Sequence, residues 1–257
     1  MNKHRTVILN LTMALLLLIA LGSGTALVMK EMAKNHNCIE LESLADAVKE
    51  ETVDLSEDLR ALRQQRLVGY AELQKQNPDM AGWLSVPDTK IDYPVMQSVD
   101  RPDFYLNHDF KKEKSHYGVP YIAEHCDLQG TSSNIVIYGH HMKDGSMFTD
   151  LMKYEQQSFY EAHPFIYFDT MKDTGIYRVI GVLEVPAIEK EESFYKKMET
   201  ENRFDYSGYI AEVKRRAHYE TGEIAVYGEP LLTLITCEYT VKEGRFIIVA
   251  KKVPSDS

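Results

Sequence analysis

Cys237 closes the run Leu231-Leu232-Thr233-Leu234-Ile235-Thr236-Cys237, and after the six residues 238–243 the segment Gly244-Arg245-Phe246-Ile247-Ile248-Val249-Ala250 starts a second β-branched run. Two such runs so closely joined read as adjacent antiparallel strands, which sets Cys237 and Arg245 at one rim. A free thiol is mostly protonated at neutral pH, so Cys237 needs a base or a cation close by to act as a nucleophile. Nine histidines are available. His140 stands out by context, because the apolar run Asn134-Ile135-Val136-Ile137-Tyr138 ends at Gly139-His140-His141, a strand end followed by a turn. A cysteine with a histidine so placed could act as an activated nucleophile, although a lone histidine is more often an ordinary polar residue. Adjacent residues of an extended segment point to opposite faces, so His140 and His141 are a poor metal pair. Glu189, Glu191 and Glu192 read as a solvated acidic face, and no metal or cofactor is expected.

The elements that must position these residues are short and strand-like: 83–86, 91–96, 117–122, 134–138, 164–169, 175–185, 231–237 and 245–253. Eight such runs separated by turn residues predict a barrel or sandwich, mostly β with added helices. One interruption, 194–219, places Tyr195, Met198, Tyr206, Tyr209, Ile210 and Val213 among charges, the pattern of one or two amphipathic helices inserted between late strands. Upstream, 30–77 is rich in Glu, Lys, Leu, Ala and Gln and reads as an N-terminal helical stalk, with Leu55, Leu59, Leu62 and Leu67 near helical spacing. Asn77-Pro78-Asp79 ends it. The resulting organisation is a tail and apolar anchor over 1–29, helices over 30–77 and a catalytic barrel domain over 78–257.

Residues 6–29 form a nearly uncharged run containing Leu15-Leu16-Leu17-Leu18-Ile19-Ala20-Leu21. About 20 apolar residues suffice to cross a bilayer. A cleaved signal peptide is the competing reading, but no clear small-residue cleavage site follows, so an uncleaved anchor is expected. Lys30 and Lys34 nearly balance Lys3 and Arg5, so flanking charge does not set the orientation. A formal net charge of −10 leaves no cationic surplus for displacing counterions from a phosphate backbone, so nucleic acid is not an expected partner. Cys38, Cys126 and Cys237 lie too far apart in sequence for a CxxC pair.

Taken together, these motifs resemble the sortases. Thr233-Leu234-Ile235-Thr236-Cys237 fits their T-L-x-T-C pattern, Arg245 follows on the next strand, and Tyr138-Gly139-His140 is similar to the segment bearing their histidine. Asp92-Tyr93-Pro94-Val95-Met96-Gln97, Tyr105-Leu106-Asn107-His108-Asp109-Phe110, Gly145-Ser146-Met147-Phe148 and the inserted helical segment resemble class B members in particular, over about residues 78 to 253. Ile235 departs from the small or hydroxylated residue often found there, which weakens transfer of a substrate motif.

The resemblance implies an eight-stranded β-barrel and a membrane-anchored cysteine transpeptidase, single-pass, with its catalytic domain on the outer face of a Gram-positive cell membrane. Cys237 would be the nucleophile, His140 the proton-transfer partner and Arg245 the group steadying the substrate carbonyl or oxyanion. The expected partners are the C-terminal sorting signal of a secreted protein, of an Asn-Pro-x-Thr-x or related type, and an amine acceptor from peptidoglycan. Alternatives are a pilin-polymerising enzyme that uses a lysine acceptor, a hydrolytic cysteine peptidase and, from another class, a catalytically silent peptide-binding module. Glu238, Asp109 and Asp144 are candidates to orient His140, and none is preferred.

Overall fold

A computed structural model describes residues 32, 39–44, 59–130, 132–185, 192–200, 202–237 and 244–254. Residues 1–40 and 41–257 form two separate compact units. The apolar run 6–29 lies outside the described residues, among which no helix is long and apolar enough to cross a membrane.

The second unit is built on a closed barrel of eight strands: β1 (Met80–Ser85), β2 (Asp92–Met96), β3 (Tyr121–Ile122), β4 (Asn134–His140), β5 (Phe165–Thr170), β6 (Ile176–Val185), β7 (Leu231–Cys237) and β8 (Arg245–Lys252). Their order around the barrel is β1-β2-β3-β4-β7-β8-β6-β5. Closure removes the exposed sheet edges that an open arrangement would leave. All eight predicted runs become strands, but the third is cut from 117–122 to two residues. Gly118 has a φ of 58°, with the Tyr105 and Leu106 carbonyls too close for any Cβ, and Pro120 has no N–H to donate.

Two pairings are parallel, β2 with β3 and β4 with β7. The second joins strands far apart in sequence, so the connection between them carries β5, β6 and the inserted helices. β7 and β8 are antiparallel neighbours, as their short spacing predicts. Branched residues are buried on both faces of the barrel wall, Val136, Ile137, Val179, Val182, Leu183, Leu232, Leu234 and Ile248 among them.

Helix α1 (Leu59–Gln76) leads into the barrel and ends at the Asn77-Pro78 break. It docks through Tyr70, whose ring stacks on Trp83 of β1 at 5.6 Å and whose hydroxyl donates to buried Asp169 at 2.9 Å. The inserted segment forms α3 (Glu192–Lys197) and α4 (Arg203–Arg216) between β6 and β7, and a short α2 (Gln157–Ala162) precedes β5. A 3-10 turn, Phe104–Leu106, lies between β2 and β3. Asn202 caps α4 by accepting from the Phe204 and Asp205 amides. The buried face of α4, with Tyr206, Tyr209, Ile210 and Val213, meets the barrel. The Tyr209 hydroxyl lies 2.9 Å from Thr233 Oγ1, which donates to Asn134 Oδ1 at the same distance. That chain fixes the helices over the beginnings of β4 and β7, leaving the other ends of those strands to the site.

Candidate functional site

His140 is the last residue of β4 and Cys237 the last of β7, and the two are register partners. Because the strands run in parallel, their ends reach the same rim, about 4.8 Å apart across the ladder. Arg245 begins the antiparallel β8 and therefore returns to that rim as well. All three sequence-predicted site residues thus come together at one end of the barrel.

The imidazole of His140 is buried, and its Nε2 lies 2.7 Å from the carbonyl oxygen of Leu106, on the 3-10 turn. A carbonyl only accepts, so this bond requires the proton on Nε2 and leaves Nδ1 as the nitrogen whose protonation can change. Gly139 precedes His140 without a side chain because the Phe148 ring occupies the space: an added Cβ would lie 2.6 Å from it. Phe148 is fully buried and so acts as a fixed stop beneath the strand end.

Thr236 joins the end of β7 to β8 through its side chain, its Oγ1 accepting from the Phe246 amide at 3.1 Å and donating to the Phe246 carbonyl at 3.4 Å. Arg245 Nη1 donates to the Thr236 carbonyl at 3.5 Å, a long bond that leaves most of its donor fork uncommitted there. Arg245 also lines a cavity of about 320 Å³ together with Leu106, Tyr121, Glu124 and Tyr138. Ile235 is fully buried between its register partners Tyr138 and Ile247, so the departing position is packed into the sheet.

Two proposed orienters of His140 are engaged in loop structure. Asp109 accepts from the Glu113 amide at 2.8 Å, and Asp144 accepts from the Tyr117 hydroxyl at 3.0 Å and from Ser146 Oγ at 2.6 Å. Glu238 lies outside the described residues, as do Cys38, Glu189 and Glu191. Sequence reasoning missed the Leu106 carbonyl, which as a backbone atom carries no residue-type signal. Among the described residues no group of three His, Cys, Asp or Glu side chains could hold a metal ion. Cys126 is a buried thiol pushed up to about 11 by burial, against the opposing hydrogen bond from the Val136 amide, and is therefore a poor nucleophile.

The Sortase domain family matches residues 84–253. Sortase B of Listeria monocytogenes is 37% identical over 185 residues, 71% of this chain and 73% of that protein. Sortase B of Staphylococcus aureus is 32% identical over 184 residues, with the same shares covered. Among solved structures, a Staphylococcus aureus sortase B–substrate complex superposes with a TM-score of 0.75 at 27% identity, covering 88% of this chain and all of that one. The barrel with its inserted helices therefore matches in both sequence and architecture, and the chain belongs to the sortase family as a class B member, a cysteine transpeptidase.

Proposed function

We propose that Cys237, His140 and Arg245 carry out a two-step acyl transfer on the sorting signal of a secreted protein. The observation that carries this reading is the pairing of His140 with Cys237 at the ends of two parallel strands, with Arg245 opening the neighbouring strand. Cys237, as thiolate, attacks the carbonyl carbon of the scissile peptide bond. The tetrahedral oxyanion is met by the Arg245 guanidinium, and a donor so placed is worth about 3 kcal/mol. Collapse expels the amine of the downstream peptide, which takes a proton from imidazolium Nδ1, and leaves a thioester on Cys237. An acceptor amine then attacks the thioester, His140 Nδ1 removes its proton, and the Cys237 thiolate leaves as the new amide forms, which restores the starting thiolate and imidazolium.

The acyl donor in this reading is an Asn-Pro-x-Thr-x-type C-terminal signal and the acceptor an amine of peptidoglycan. A sortase B of this fold has been captured in a complex with its substrate, which supports this end of the reading. Residues 6–29 form the single membrane anchor, 30–77 the helical tether and 78–257 the catalytic domain on the outer face of the cell membrane. Incubating the full chain with a library of C-terminal signal peptides and a diamine, then weighing the products, tests the reading. Peptides truncated at threonine and joined to the amine support it; truncated acids alone would make the chain a hydrolase.

A further inference from the structure

At the barrel end remote from Cys237, α4 and the loop before β7 leave four large apolar side chains in solvent. Phe204 is 84% exposed, Val226 62%, Ile224 54% and Tyr227 47%. Ile224, Val226 and Tyr227 border a groove of about 510 Å³ between the helix and the loop, flanked by Arg203 and Lys214, and Phe204 follows Arg203 on the helix, outside the groove. Clustered exposed apolar groups rimmed by charge mark an interaction surface.

The charges around this face narrow the partner. Arg203 lies over the Tyr227 ring at 5.4 Å, and neither it nor Lys214 makes a salt bridge among the described residues. Arg203 is also the first residue of α4, where the helix dipole disfavours a cation, so local helix stability does not explain it. The neighbouring carboxylates are committed: Glu223 to Arg178 and Lys251, Glu229 to Lys251 and the Val226 amide, Asp205 to the Asn202 cap. Glu220 is exposed and lines a neighbouring pocket together with Lys214. On a chain of net charge −10 this is a local cationic and apolar face. Aromatic rings, branched aliphatics and long basic side chains on neighbouring elements are the composition of groups that settle at a lipid headgroup boundary.

We propose that Phe204, Ile224, Val226 and Tyr227, with Arg203 and Lys214, dock the catalytic domain on an anionic phospholipid surface. This rests on the reading of residues 6–29 as an anchor, which keeps the domain beside a bilayer. Docking there sets the end of β7 that bears Cys237 further from the membrane than its beginning, by at most about 20 Å, the length of six steps of about 3.3 Å. The catalytic rim then faces outward, toward an acceptor in the wall.

Trp83 is the single tryptophan, and it is 2% exposed beneath α1, where it stacks on Tyr70, so it supplies an internal control. The full-length Phe204→Trp chain is reconstituted in phosphatidylcholine vesicles with brominated acyl chains, with and without phosphatidylglycerol. The expected result is about a twofold loss of emission from the new tryptophan in the anionic vesicles only, with Trp83 unaffected in the parent chain. Replacing Arg203 and Lys214 by serine reduces the docked population by about an order of magnitude. Unquenched emission overturns the proposal, as does equal quenching without phosphatidylglycerol or a concentration-dependent dimer that Phe204→Ser abolishes. Carbonate extraction of the chain removes the anchor reading alone, since quenching with vesicles in excess still reports on this face.

Discussion

His140 and Cys237 are register partners across β4 and β7, each the final residue of its strand. The parallel pairing has a mechanical consequence. Strands running the same way deliver their ends to one rim without a loop having to fold back, so the base and the nucleophile rest on sheet rather than on loop backbone. Thr236 on one side and the Phe148 ring on the other hold those ends in place.

The Leu106 carbonyl separates two roles of His140. Glutamine at this position can still donate from its side-chain amide toward Leu106 but cannot exchange a proton. His140→Gln is therefore expected to keep a near-normal melting temperature while acyl transfer falls by about two to four orders of magnitude. Single-turnover kinetics beside a thermal melt read both. Retention of about a tenth of the activity would remove His140 from proton transfer.

At Arg245, charge and geometry can be told apart. A guanidinium offers a planar fork, an ammonium a point charge on a flexible stem. Arg245→Ala should slow acylation about a hundredfold or more, and Arg245→Lys should recover only a small part. Full recovery by lysine would make the role one of field alone.

Gly139→Ala places a methyl group against the buried Phe148 ring. Overpacking of this kind costs about 1–3 kcal/mol, and here it also shifts the strand end that carries His140. The expected loss of kcat exceeds what the loss of stability explains, and the double variant Gly139→Ala/Phe148→Leu recovers part of both. Measuring kcat and urea unfolding on the same preparations checks this.

The strands and the rim placement of Cys237 and Arg245 were legible because short apolar, β-branched runs bounded by turn residues mark strands and a short spacing between two of them marks an antiparallel neighbour. Partner choice between distant strands leaves no such trace, so the β4–β7 pairing that seats His140 beside Cys237 could not be read from residues 134–140 alone. Asp109 and Asp144 were plausible orienters by type, yet carboxylates near turns often bond local amides and hydroxyls, as these do. The shortened β3 follows from the backbone demands of Gly118 and Pro120, which outweigh the β propensity of Tyr117 and Val119.

Cys126 gives a pH-dependent check. Burial raises its thiol to about 11 in the folded protein, above an ordinary value of 9.0. The unfolded chain therefore loses this proton first on alkalinisation. The contribution is flat below pH 9, falls as pH rises through the window from 9 to 11, and amounts to a loss on the order of 2–3 kcal/mol above it. Cys126→Ala should flatten that part of the stability profile in urea melts. Iodoacetamide at pH 8, followed by peptide mapping, should label Cys126 only after unfolding. Rapid labelling of Cys126 in the native protein would contradict its placement.

The most direct test of the account is intact-mass analysis of the enzyme quenched in acid during turnover of a sorting-signal peptide without acceptor amine. The account predicts an adduct equal to the peptide up to its scissile threonine, mapped to Cys237, released by hydroxylamine and absent from Cys237→Ala. Cleavage by a folded Cys237→Ala variant, or an adduct mapped to Cys126 or Cys38, would contradict it.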